Sequence, residues 1–107
     1  MSTQDKFDLI YDEKDPAEVW RLAADFGEFT TPLTSVVLTI TRLSGSADSN
    51  PSAMKTGGPQ VQGTGRATHL VQGGVDGADY AIRWDVIGDG ETLTLVGRLP
   101  VRKKKAP

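Results

Sequence analysis

The sequence predicts an all-β domain, an antiparallel β-sandwich of about seven strands. The 107-residue chain holds 12 glycines and 6 prolines, which is more than average usage and indicates many turns. Several stretches rich in β-branched residues alternate between apolar and polar side chains, the period of a half-buried strand. Turn signals separate them about every 8–12 residues, as in a sandwich. The length predicts a single domain over residues 1–107, with a flexible basic tail at 102–107.

The first two elements differ in clarity. Residues 6–11 alternate weakly and predict a first strand or an extended arm. Asp15, Pro16 and Glu18 then have the form of a helix start, with a cap, a first-turn proline and a capping-box acid. Residues 19–26 fit helical and strand spacing equally well, so periodicity leaves both interpretations open.

The later elements are predicted more sharply. Residues 35–43 alternate as a strand, whereas 44–65 are polar and glycine-rich and predict a long loop with short edge pieces at 53–55 and 60–62. Three more strands are predicted at 66–71, 79–87 and 91–101, the last two joined by a Gly88-Asp89-Gly90 hairpin turn. The predicted core consists of Trp20, Phe26, Leu38, Ile40, Tyr80, Ile82, Trp84, Leu93 and Leu95.

Composition excludes several kinds of chemistry. The chain contains no cysteine, which rules out disulfides, thiolate metal sites and cysteine nucleophiles. No apolar run is long enough to predict a transmembrane helix, and no secretory signal is expected. The acidic pI of 5.2 and the lack of aromatic residues among the basic ones predict no nucleic-acid partner. Gly63-Thr64-Gly65 resembles the start of a dinucleotide fingerprint but lacks its third glycine, so no cofactor is predicted.

Catalytic and metal-binding residues are sparse. His69 is the only histidine, and we expect it at a surface or half-buried strand position. Asp76, Asp79, Asp85 and Asp89 do not have the spacing of a helix–loop–helix calcium site. Asp76 and Asp89 are better explained as turn caps that bond their own backbone. The sequence therefore predicts no catalytic residue and no metal site, and the chain is not expected to be an enzyme.

The two ends of the chain carry opposite charge. Residues 1–28 contain eight acids and three bases, and residues 98–107 contain five bases and no acid. One interpretation is that the ends attract each other, within one molecule or between neighbouring copies. The favoured interpretation is a solvated acidic start and a frayed basic tail.

Several short motifs, in order along the chain, resemble one protein family. They are Lys14-Asp15-Pro16-Ala17-Glu18-Val19 with Asp25-Phe26, Pro51-Ser52-Ala53-Met54, Pro59-Gln60-Val61-Gln62-Gly63-Thr64, Gly73-Gly74-Val75-Asp76-Gly77-Ala78-Asp79-Tyr80, and Leu99-Pro100-Val101. Together they resemble the small immunoglobulin-like virion proteins of tailed bacteriophages, the phage fiber–tail adaptor family, over most of residues 6–102. The family often has Asp-Trp where this chain has Asp25-Phe26. The resemblance implies that the predicted sandwich is immunoglobulin-like, with a strand at 19–26.

The resemblance also implies a function. Members are structural virion proteins, adaptors in the neck or tail that connect or present fibres or spikes. Their partners are other virion proteins, often in a homo-oligomeric ring, and they are located in the virion after synthesis in the bacterial host cytoplasm. The alternative is an immunoglobulin-like decoration module that binds a host-surface carbohydrate. Exposed aromatic residues would favour that alternative, but most of the aromatic residues are predicted to lie in the core.

Three regions are the candidates for partner contact. The N-terminal arm would act through apolar side chains, the loop at 44–65 would adapt to a partner because it is long and polar, and the basic tail would pair with an acidic neighbour. The predicted contact residues are Phe7, Leu9, Tyr11, Met54, Val61, Arg102, Lys103, Lys104 and Lys105.

Overall fold

A computed structural model describes residues 7–104 of the chain. Its strands are β1 (Leu9–Ile10), β2 (Trp20–Asp25), β3 (Ser35–Gly45), β4 (Lys55–Gln62), β5 (Arg66–Val71), β6 (Ala78–Gly88) and β7 (Glu91–Pro100), with a 3₁₀ helix at Pro51–Met54. They form a four-stranded sheet of order β1-β7-β6-β3 and a three-stranded sheet of order β2-β5-β4. This arrangement confirms the predicted all-β sandwich of seven strands, in which β3, β6 and β7 take the positions of immunoglobulin strands C, F and G.

The core lies between the two sheets and is centred on β6. Tyr80, Ile82, Trp84 and Val86 alternate along this strand and are all buried, as the two-residue period predicts. Leu38 and Ile40 lie beside Trp84 and Ile82 on the neighbouring strand β3 and are also buried. The other predicted core residues, Trp20, Phe26, Leu93 and Leu95, are partly buried at its margin.

The ambiguous segment resolves as a turn followed by a strand. The Asp15 carboxylate accepts a hydrogen bond from the Ala17 N–H at 2.7 Å, and the Asp15 N–H donates to the Glu18 carboxylate at 2.9 Å. The first is an N-cap contact and the second is the reciprocal contact of a capping box, but here they close a single turn. The chain then enters β2, where Leu22 and Ala24 are buried at strand spacing. The strand implied by the resemblance is therefore confirmed.

The long polar loop contains more regular structure than predicted. Met54 ends the 3₁₀ helix at the first predicted edge piece, and β4 occupies the eight residues after it. The register of β4 against β5 shifts between Thr56 and Gln60. Gly57 and Pro59 lie in that shift. Because they interrupt any alternation of apolar and polar side chains, the sequence does not predict a strand of this length.

Two local features fix the connections around β6. Asp89 and Gly90 have φ values of 49° and 79°, the left-handed pair that a two-residue hairpin requires. At the other end of β6, the Tyr80 hydroxyl accepts from the Val75 N–H at 2.8 Å and donates to the Asp48 carboxylate at 2.7 Å. The first of these bonds is the tyrosine corner of immunoglobulin-like domains, and the second ties the loop after β3 to it.

Two tyrosines, Tyr80 in the core and Tyr11 partly buried against it, predict a loss of stability in alkali. Burial raises the pKa of both Tyr11 and Tyr80 to about 12, and the Asp48 carboxylate adds to the effect on Tyr80. Because the unfolded chain then loses these protons first, near pH 10, the free energy of unfolding falls as the pH rises from 10 towards 12. We expect a loss of up to about 1.4 kcal/mol per tyrosine at pH 11.

Urea unfolding at pH 8, 10 and 11 measures this loss. Tyr80→Phe provides the control, because it removes one titrating group and leaves Tyr11 in place. Its stability should fall about half as steeply with pH as that of the parent chain. An equal slope for the two proteins would show that Tyr80 does not contribute.

Candidate partner-binding surface

The predicted N-terminal arm is a strand that runs parallel to β7. Leu9 and Ile10 pair with Gly97 and Arg98, and the Tyr11 N–H donates to the Arg98 carbonyl at 2.9 Å. Leu9 and Tyr11 pack against the core. In the chain as described, these two predicted contact residues therefore stabilise the domain itself.

The arm leaves a different side chain on the surface. Ile10 is 71% exposed, because the alternation that turns Leu9 inward turns Ile10 outward. It lines a shallow groove of about 320 Å³ together with Phe7, Leu43, Ser44 and Arg98. Of the predicted contact residues only Phe7 lies in this groove. The sequence does hold a signal for Ile10, because it is an apolar residue on the side of the first strand that otherwise carries Asp8 and Asp12.

Arg98 gives the groove a positive charge. Its guanidinium bonds Asp79 at 2.6 Å, and Arg102 bonds the other oxygen of the same carboxylate at 2.9 Å. Burial alone would raise the pKa of Asp79, but the hydrogen bonds from Arg98 and Arg102 outweigh it and hold that pKa below its usual value. Since two guanidinium groups share one carboxylate, the cluster carries excess positive charge. The side chain of Arg98 is 46% exposed.

The basic tail pairs with the acidic start inside one molecule. Lys104 Nζ lies 3.1 Å from the Glu18 carboxylate, and the backbone N–H of Lys104 donates to the Asp15 carboxylate at 2.7 Å. The Lys103 N–H donates to the Asp76 carboxylate at 2.7 Å. Backbone hydrogen bonds from Ala17 and Lys104 hold the pKa of Asp15 below its usual value. For 103–104, the interpretation as a frayed tail is therefore wrong.

Arg102 is held even more firmly than the lysines. The backbone N–H of Arg102 donates to the Lys14 carbonyl at 2.9 Å. This bond continues, beyond the end of β7, the pairing between the N-terminal segment and the C-terminal end. Its guanidinium also donates to the Ala78 carbonyl at 3.1 Å. Arg102 therefore locks the C-terminal end to the domain. Lys105, the last predicted tail contact, lies outside the described residues.

The two contact residues predicted in the long loop have different environments. Met54 is only 2% exposed and belongs to the core, so in the free chain it has almost no surface to offer a partner. This corrects its placement on a partner-binding loop, and the reason is that the 3₁₀ helix turns its side chain inward. Val61 is 37% exposed on β4 and remains accessible.

Three polar residues differ from their expected environments. His69 is buried, with its Nδ1 2.8 Å from the Leu70 carbonyl oxygen, which corrects the surface or half-buried position expected for it. Asp76 and Asp89 do not cap their own turns. Asp89 instead accepts from the N–H groups of Thr30 and Thr31, at 2.9 and 3.3 Å, and thereby joins the hairpin to the loop before β3.

A buried lysine was not predicted at all. Lys14 is fully buried, and its ammonium donates to the Gly73 carbonyl at 2.8 Å and to the Asp15 carbonyl at 3.0 Å. Burial lowers its pKa, and the nearby Glu18 and Asp15 carboxylates partly offset that effect. Lys14 serves the fold, because it fastens the segment before β2 to the turn after β5.

The groove around Ile10 combines apolar side chains with the Arg98 guanidinium. Within 7–104, no three metal-ligating side chains come together, and no helix of that part is long and apolar enough to cross a membrane. Comparison with protein-family models, curated proteins and solved structures finds no match for this chain. The groove around Ile10 is thus the strongest candidate site, with apolar walls and an exposed guanidinium.

Proposed function

We propose that this chain is a structural virion protein of a tailed bacteriophage. In this proposal it is an adaptor in the neck or tail that connects or presents fibres or spikes through protein–protein contacts. The ordered motifs that resemble the fiber–tail adaptor family support this role. The observation that carries it on the structural side is Ile10, 71% exposed beside Arg98 on a well-packed sandwich.

The groove favours a protein partner of particular chemistry. Phe7, Ile10 and Leu43 provide apolar contact area, and solvent-exposed apolar side chains gathered in one place are typical of interaction sites. Arg98 adds planar hydrogen-bond donors that suit a carboxylate. We therefore propose that the partner inserts an apolar side chain beside Ile10 and places an acidic side chain near Arg98.

A ring of copies is part of the same proposal. In a ring, each protomer contacts the next head to tail through two different surfaces. The charged ends of the chain pair with each other in one molecule, which leaves them less available to a neighbouring copy. The Ile10 groove and the exposed strand β4 are the surfaces we propose instead.

Replacing Ile10 by glutamate tests the groove. The Ile10→Glu variant should bind purified neck or tail particles at least about tenfold more weakly than the parent chain, because a buried carboxylate would replace apolar contact. The Val37→Glu variant is the matched control. Val37 is 51% exposed on the same sheet but outside the groove, and its replacement should leave binding unchanged.

Co-sedimentation of the purified protein with particles measures the binding. Equal binding by both variants would remove the groove from the proposal. A parent chain that ignores particles but is retained on host-cell envelopes would contradict the adaptor role, and it would support the carbohydrate-binding decoration module.

A further inference from the structure

Three of the four sheet edges carry features that prevent a further strand from pairing. Edge strands expose unpaired backbone groups, and proteins block them with short strands, lysines, prolines and bulges. β1 has only two residues. At the β3 edge, Lys55 Nζ donates to the Leu38 carbonyl at 2.9 Å, and a register shift lies between Arg42 and Ser44. The β4 edge contains Pro59 within its own register shift.

The β2 edge has none of these features. All six of its residues pair with β5 in unbroken register, and none of them is proline, glycine or lysine. The strand is long enough to offer several backbone hydrogen bonds. Among the strands of the described part of the chain, β2 is therefore the one with an open and regular edge.

The direction of the β2 backbone groups follows from two hydrogen bonds. The Phe26 N–H donates to the carbonyl of Gly65, just before β5, at 2.8 Å. The backbone N–H and C=O groups of every second residue before it, Ala24 and Leu22, therefore also point to β5. The Ala23 carbonyl points the other way and accepts from the Tyr11 hydroxyl at 2.9 Å. Since these groups alternate along a strand, Arg21, Ala23 and Asp25 direct their N–H groups to the open edge. Within residues 7–104, none of these three N–H groups has a hydrogen-bond acceptor.

We propose that β2 pairs antiparallel with β2 of a second copy of this chain, in a register centred on Ala23. The sequence of the strand is complementary to itself in this register. Arg21 of each copy lies opposite Asp25 of the other, and the two Ala23 residues face each other at the two-fold axis. On the inner side Leu22 lies opposite Ala24, a large residue against a small one. The inference does not depend on the proposed virion role.

Charge and hydrogen bonding select this register over its neighbours. Pairing centred on Ala23 matches all three edge-facing residues of one copy with those of the other, so that the open N–H and C=O groups satisfy each other. It also places two opposite-charge pairs on the outer face, where such cross-strand pairs stabilise a sheet. A shift of two residues loses one matched pair and places Arg21 or Asp25 opposite an alanine.

The existing contacts of the strand permit the pairing. A carbonyl oxygen has two lone pairs, so the Ala23 carbonyl can keep the Tyr11 hydroxyl and accept a partner N–H. Arg21 and Asp25 are both exposed. Among residues 7–104, the Arg21 side chain makes one hydrogen bond, to Thr68 at 3.3 Å, and the Asp25 carboxylate accepts one from the Gly27 N–H at 2.9 Å through one of its two oxygens. A single strand pair buries less than a standard interface of about 1,600 Å². The dimer should therefore be weak and visible only at high protein concentration.

A charge swap tests the pairing in solution. Light scattering and sedimentation of the parent chain, up to about 1 mM, should show a monomer–dimer equilibrium. Arg21→Asp and Asp25→Arg each place like charges opposite each other, and each should raise the dimer dissociation constant at least about tenfold. An equimolar mixture of the two variants restores both opposite-charge pairs in a heterodimer, so association should return to within about threefold of the parent.

The mixture also controls for damage to the fold. Asp25→Arg brings a second positive charge next to Arg66, its partner on β5, and circular dichroism of each variant checks that the sheet survives. A chain without cysteine allows a further test: Ala23→Cys should form a disulfide-linked dimer on mild oxidation, because hydrogen-bonded antiparallel pairs place Cα atoms about 5.5 Å apart. Val61→Cys on β4 should not.

Two results would overturn the proposal. One is a parent chain that stays monomeric at every concentration while Ala23→Cys crosslinks no faster than Val61→Cys. The other is association that persists unchanged in both charge variants, which would place the contact elsewhere on the molecule.

Discussion

Replacing Trp84 by alanine is expected to lower the free energy of unfolding by about 3–5 kcal/mol. Trp84 is the largest fully buried side chain among the described residues. Its removal opens a cavity in the middle of β6 and takes away the indole N–H that donates to the Tyr11 hydroxyl at 3.1 Å. Because domains of this size are stable by only about 5–15 kcal/mol, much of the protein would unfold at moderate temperature.

Urea unfolding followed by circular dichroism measures this loss, and Trp20→Ala is the matched control. Trp20 is the other tryptophan, and it is only partly buried at the margin of the core. Its replacement should cost about 1–2 kcal/mol, since part of its surface is already in water. Equal costs at the two positions would contradict a core centred on β6.

The strands whose buried residues alternate with less buried ones could be predicted from the sequence. In β3 and β6 the buried residues recur at every second position, and the predicted ends lie within two residues of the observed ones. β4 could not be predicted in the same way, because none of its eight residues is buried. Its conformation depends on pairing with β5, a tertiary contact that leaves no periodic signal in the strand itself.

The segment before β2 shows why local signals misled. Asp15 and Glu18 form the hydrogen bonds of a helix start, so the capping pattern in the sequence corresponds to real contacts. No helix follows, because burial of Leu22 and Ala24 against the other sheet favours strand spacing. Tertiary packing therefore outweighed a local preference worth about 1 kcal/mol.

The candidate site was only partly predictable for a similar reason. The arm and Phe7 could be recognised from apolar alternation, and Ile10 follows from the same pattern. Leu43 and Arg98 come from strands far apart in the sequence, and only the sheet order brings them to one groove. The burial of Lys14 was also not foreseeable, because lysine is almost never fully buried unless its charge is paired or hydrogen-bonded.

Replacing Gly65 by alanine is expected to destabilise the domain by about 3 kcal/mol, at the upper end of what overpacking costs. Gly65 is buried just before β5, and a methyl group there would overlap the carbonyl oxygen of Gly27 and press on the Phe29 ring. Its backbone is not left-handed, so the cost arises from space alone. The neighbouring backbone would have to move, and with it the hydrogen bond from Phe26 that closes this end of the β2–β5 ladder.

Gly58→Ala is the control that separates space from backbone freedom. Gly58 also has no left-handed φ, and no atom lies within 4 Å of the position its methyl group would take. Its replacement should leave stability unchanged or raise it by about 0.5 kcal/mol, because alanine restricts the unfolded chain. Thermal unfolding of the two variants measures the difference. Similar unfolding midpoints for the two variants would contradict this prediction. They would mean that the backbone at Gly27 moves away from Gly65 at little cost, and that the end of β2 is not held tightly against the start of β5.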